Sequence, residues 1–149
     1  MEYTVYTDGS CRSDRKKAAS SYVIRTNDLY IHSDVHSFTT VYILEAELSA
    51  ISSAVTYLVK NKRLNKGDVV TVCVDSMEAI KHCKDVMNNV WTRSTSVTRE
   101  LTVSLNKFKL TGATIRFKKV HAHKTVMNSN KFVDRLAKCG IKHFDICMR

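Results

Sequence analysis

The chain contains no proline, only four glycines and no Gly/Ser-rich stretch, so nothing marks a flexible linker or a boundary between domains. One domain over residues 1–149 is therefore expected. Its five cysteines are odd in number and include no CxxC pair, which argues against a disulfide scaffold and suits a reducing, cytoplasmic setting. No window approaches ~18 uninterrupted apolar residues, which excludes a membrane-spanning helix, and no membrane partner is expected. The start runs directly into an alternating stretch, without the basic and apolar regions of a signal peptide. Acids are also scarce: 14 against 24 lysines and arginines, for a net charge of +10.

What is present is a folded, basic protein. A hydrophobic fraction of 44% over 149 residues is enough for a core. The positive charge attracts polyanions, with nucleic acid as the commonest partner, although an excess of charge also serves solubility alone.

The periodicity divides the chain in two. Glu2 to Thr7 alternates and is rich in Tyr, Thr and Val, which predicts a strand. Asp8-Gly9-Ser10 then reads as a turn and Arg12 to Lys17 as a polar loop. Ser20 to Thr26 and Tyr30 to Phe38 predict two further strands around an Asn27-Asp28 turn, giving an antiparallel meander. From Leu44 to Val59 the period becomes helical, with Leu48, Ile51, Val55 and Leu58 on one stripe. Val69 to Val74 is a β-branched run of the kind buried on both faces. Ser76 to Met87 and Val97 to Leu110 predict helices, Ile115 to Val120 a strand, and Asn130 to Cys139 a terminal helix. The order β-β-β-α-β-α-α-β-α describes an α/β fold: a mixed five-stranded sheet, three antiparallel strands first and two parallel strands after, flanked by helices.

Four acids fall where this order brings elements together. Asp8 closes the first strand, Glu47 lies early in the first helix, Asp75 ends the Val69 to Val74 strand, and Asp134 begins the last helix. If the first and fourth strands are neighbours, Asp8 and Asp75 emerge side by side, at the strand ends where ligand sites form. Carboxylates so gathered repel unless a cation lies between them, and all-oxygen ligation suits Mg²⁺ or Mn²⁺. Taken singly, each has a plainer reading. An aspartate before a helix is commonly a cap, Glu47 a solvated helix residue, and Asp134 a partner for Arg135 or Lys138.

The motifs carry a resemblance. Tyr6-Thr7-Asp8-Gly9-Ser10, Glu47-Leu48-Ser49-Ala50-Ile51 and Val74-Asp75-Ser76 resemble, in order, three motifs of the type 1 ribonucleases H. Val120-His121-Ala122-His123, followed by Asn130 and Asp134-Arg135-Leu136-Ala137, resembles the family's ending, so the likeness spans nearly the whole chain. It implies a ribonuclease H-like fold and an endonuclease that hydrolyses the RNA strand of an RNA–DNA hybrid. It also implies two Mg²⁺ ions, with Mn²⁺ as a substitute, held by Asp8, Glu47, Asp75 and Asp134. His123 takes the role of the family's mobile-loop histidine, with His121 as competitor. Gly9, Ser10, Cys11, Arg12 and Asn130 take substrate contacts, and Arg15-Lys16-Lys17 and Lys118-Lys119 bind phosphates.

This sequence departs from the family in places. No glycine occurs from Cys11 to Ala19, and Tyr42-Ile43-Leu44-Glu45 replaces a Thr-Asn-Asn-like segment. Glu45 competes with Glu47 as a ligand. The segment from His123 to Asn130 is about one residue longer than usual, and the basic helical handle is reduced to a stretch holding Trp91 and Arg93. Three alternatives remain open: a resolvase-like nuclease of the same fold, a non-catalytic nucleic-acid-binding module, and a zinc site from Cys139, His143 and Cys147 against ordinary packing of those residues. A monomer is expected.

Overall fold

In the computed structural model, which describes residues 1–27, 29–90 and 94–120, the first strand is the hub of the sheet. β1 (Glu2–Arg12) pairs antiparallel with β2 (Lys17–Thr26) on one side. On the other it pairs parallel with β4 (Val69–Val74). β3 (Leu29–Thr39) joins β2 antiparallel, and β5 (Thr114–Lys119) joins β4 parallel, giving the order β3-β2-β1-β4-β5. This is the mixed five-stranded arrangement the sequence predicts.

The expected turn at Asp8-Gly9-Ser10 is absent. β1 runs straight through it to Arg12, because β2 begins earlier than its hydrophobic pattern suggests and pairs with it throughout. Asp8 faces Ser21, Gly9 faces Ser20 and Ser10 faces Ala19. Turn propensity is a local preference that an available ladder of backbone hydrogen bonds overrides. The chain reverses instead through a single 3-10 turn, Ser13–Arg15, followed by Lys16 in the left-handed region at φ 54.

Three helices complete the described fold. α1 (Ile43–Asn61) buries Leu48, Ile51, Val55 and Leu58 and packs across β1 and β2. α2 (Met77–Met87) is capped by Ser76, whose Oγ accepts from the Ala79 N–H at 3.1 Å, and contacts β4 and β5. α3 (Ser96–Leu110) begins in a reciprocal Thr95/Thr98 capping box and packs on α1 and α2. Val5, Ile24, Val70, Val72, Leu101, Leu105 and Phe108 are fully buried in the resulting core. No described helix is long and apolar enough to cross a membrane.

Candidate metal centre

β1 loses one neighbour before the other, and this places the first acid. Its parallel pairing with β4 ends at Tyr6 and Cys73, whereas its pairing with β2 continues to Arg12. Asp8 therefore sits at the fork where β1 and β4 part, only 5% exposed. Asp75 is the first residue beyond β4, level with Asp8 across the fork. Glu47, on the second turn of α1, closes the group from the helix side. One carboxylate oxygen from each of Asp8, Glu47 and Asp75 lies within 4.8 Å of the other two.

The surroundings of Glu47 register how unfavourable this gathering is. Its carboxyl is pushed up from 4.5 to about 7, first by burial, and further by the negative charges of Asp75 and Glu78. A hydrogen bond from the Ser76 hydroxyl opposes the rise. Ser76 can serve both partners, since its oxygen accepts from Ala79 while its proton remains free for Glu47. The helix cap before α2 is thus Ser76, which leaves the Asp75 carboxylate to the cluster. Hard oxygen donors from three clustered carboxylates, one buried and two half-buried, fit a divalent cation such as Mg²⁺ or Mn²⁺.

Glu45, the alternative ligand, is engaged elsewhere. Its carboxylate accepts from the Thr40 hydroxyl, and Thr40 Oγ1 in turn accepts from the Tyr42 N–H at 3.2 Å, tying down the start of α1. The Glu-Leu-x-Ala pattern favours Glu47 over Glu45, and this bond gives Glu45 a different partner.

The other expected site residues are spread along the same rim. Ser10 and Cys11 are half-buried on β1 past Asp8, and the Cys11 thiol donates to the Thr40 carbonyl at 3.5 Å. Arg12 is exposed and pairs with Asp14 at 3.8 Å. Lys119, at the end of β5, donates its ammonium to the Asp75 carbonyl, so one of the expected phosphate ligands lies at the acid end. His121, His123, Asn130 and Asp134 lie outside the described residues, as do Trp91, Arg93, Cys139, His143 and Cys147.

A groove of about 560 Å³ is lined by Cys11, Tyr42, Ile43, Glu45, Glu78 and His82, and by none of the three acids themselves. A larger cleft of about 830 Å³ between α1 and α3 contains none of the three acids. Chemistry rather than volume locates the site here.

Comparison with known proteins identifies the family and the fold. A family model for RNase H matches residues 1–142. Among solved structures, the N-terminal RNase H domain of Rv2228c from Mycobacterium tuberculosis, determined as a fusion with maltose-binding protein, is similar at a TM-score of 0.70 and 17% identity. The likeness covers 95% of this chain and 99% of that one. At that identity it shows the fold. No curated protein sequence matches the chain. With the family model spanning nearly every residue, and three of its acids meeting at the parting of two strands, the chain belongs to the RNase H family.

Proposed function

We propose that this protein is an endonuclease that hydrolyses the RNA strand of RNA–DNA hybrids using two divalent metal ions, Mg²⁺ or Mn²⁺. The observation that carries the reading is the convergence of Asp8, Glu47 and Asp75 oxygens within 4.8 Å.

Asp8, on the central strand and the most buried of the three, would hold the metal together with Glu47 and Asp75. Asp134 is the fourth ligand by resemblance. Held by these carboxylates, divalent ions would supply the Lewis acidity that favours ionisation of an attacking water and offsets charge on a leaving 3′ oxygen. The carboxylates hold position and contribute little proton chemistry of their own. His123 carries the proton-transfer or product-release role, because an imidazole exchanges protons near neutrality.

Substrate lies along the rim formed by Gly9, Ser10, Cys11 and Arg12, with Asn130 as a further contact. Selectivity for RNA comes from 2′-hydroxyls met across the minor groove, which DNA lacks. The net charge of +10 supplies sequence-independent phosphate attraction, so binding weakens as salt rises. The chain acts as a monomer in the cytoplasm.

The test is cleavage of a strand-labelled hybrid with Mg²⁺ or Mn²⁺, beside Asp8→Asn, duplex DNA, duplex RNA and a four-way junction. Metal-dependent cutting of the hybrid's RNA strand alone, lost in Asp8→Asn, is expected. Junction cutting supports a resolvase instead, and binding without cutting leaves a nucleic-acid-binding module.

A further inference from the structure

Gly9 follows the buried Asp8 on β1, on the side of the sheet that α1 covers. A Cβ built there would stand 2.5 Å from the Glu47 backbone nitrogen, 2.6 Å from the Ala46 carbonyl carbon and 2.8 Å from the Ala46 Cβ. All three are closer than the 3.0 Å that real Cβ contacts essentially never breach. Two are backbone atoms, so no rotamer change can make room. The second turn of α1 rests directly on the backbone of β1.

The neighbouring contacts follow the same rule. α1 presents Ala46, Ser49 and Ala50 along this end, all buried, and β2 answers with buried Ala18 and Ser20. Ser20 and Ser49 meet hydroxyl to hydroxyl at 3.4 Å. Small residues on both sides let helix and strand approach closely at the end where the acids lie.

We propose that Gly9 is a positioning residue: its missing side chain sets the separation between the carboxylate carried by the strand, Asp8, and the one carried by the helix, Glu47. The inference rests on the reading of these acids as a metal centre. To regain ordinary contact after a methyl is added, the α1 backbone must retreat by roughly 1 Å. Glu47 retreats with it. Mg²⁺ accepts ligands only near 2.0–2.1 Å in octahedral geometry, so a displacement of that size removes a ligand or distorts the site.

The experiment is calorimetric titration of the metal-free protein with Mn²⁺, read beside thermal denaturation. Gly9→Ala is compared with wild type and with Val55→Ala, which removes buried volume from α1 away from the acids. Gly9→Ala should bind Mn²⁺ at least about tenfold more weakly while folded. Val55→Ala should lose stability and keep its affinity. Should Gly9→Ala not fold, Ser49→Thr is the milder wedge, adding one methyl opposite Ser20, and a severalfold weakening is expected. Wild-type affinity in a folded Gly9→Ala, or in Ser49→Thr where it is the folded probe, overturns the inference and leaves the metal centre standing. A wild-type protein that binds no Mn²⁺ overturns both.

Discussion

Glu47→Gln should stabilise the metal-free protein while destroying its capacity to hold metal. In the folded chain the Glu47 carboxyl titrates at about 7 rather than 4.5, chiefly because it is partly buried and secondarily because Asp75 and Glu78 face it. Between those two values the folded protein keeps a proton that the unfolded chain has already released. Stability of the metal-free protein therefore falls as pH rises from 4.5 towards 7, and the deficit persists above it. At 1.36 kcal/mol per decade the interval corresponds to about 3 kcal/mol; solvent reaches the side chain, so screening reduces this to about 1–2 kcal/mol. Glutamine keeps the size and can still accept from Ser76, but carries no charge. Thermal denaturation with a chelator at pH 8 should place the variant about 3–6 °C above wild type, with the gap closing towards pH 5. Added Mn²⁺ should raise the wild-type midpoint and leave the variant nearly unmoved. A variant less stable than wild type at pH 8, or a gap that does not change with pH, would refute the electrostatic account.

Three further perturbations probe the supports around the acids. Ser76→Ala removes both the α2 cap and the donor to Glu47, so urea denaturation should show a loss of about 1 kcal/mol, and Ser76→Thr should restore stability. Thr40→Val leaves the Glu45 carboxylate and the Tyr42 N–H without the hydroxyl that joins them. It should cost about 1–2 kcal/mol in the same assay and lower hybrid cleavage by loosening the start of α1. Phe108→Ala empties a fully buried position where α3 meets the core and should destabilise by about 3–5 kcal/mol in equilibrium unfolding.

The parts of the fold that were legible are those where hydrophobic pattern and local punctuation agree. Val69–Val74 is found with its observed ends because a β-branched run lies between Gly67-Asp68 and Asp75-Ser76. The three described helices are found within a residue or two because their stripes are regular and Ser76 and Thr95 cap two of them, while the helix expected from Asn130 to Cys139 lies outside the described residues. The end of β1 was not legible. Asp8-Gly9-Ser10 has the composition of a turn, and only the partner strand, with Ser21, Ser20 and Ala19 opposite, makes it extended. At the site, resemblance named the acids and the structure joins three of them. The Glu-Leu-x-Ala pattern already favours Glu47 over Glu45, and what the sequence does not show is the Thr40 hydroxyl that engages Glu45 across the loop into α1.

That same misread segment explains how the centre can be built at all. Had the chain turned at Asp8, the carboxylate would have ended on a loop, free to swing away from Asp75 and relieve the repulsion. Because β1 stays paired with β2 for four residues past Asp8, the aspartate is held within a ladder to β2 that continues before and after it. Gly9, the next rung, lets α1 press Glu47 against it. The three carboxylates are thus fixed by backbone hydrogen bonding and helix packing, drawn from a core of fully buried side chains. Electrostatic strain of a few kcal/mol is small beside the burial of that core, so the fold holds the acids together in advance of any ion. A site arranged in this way loses little on binding metal, since the ligands are ordered before the cation arrives.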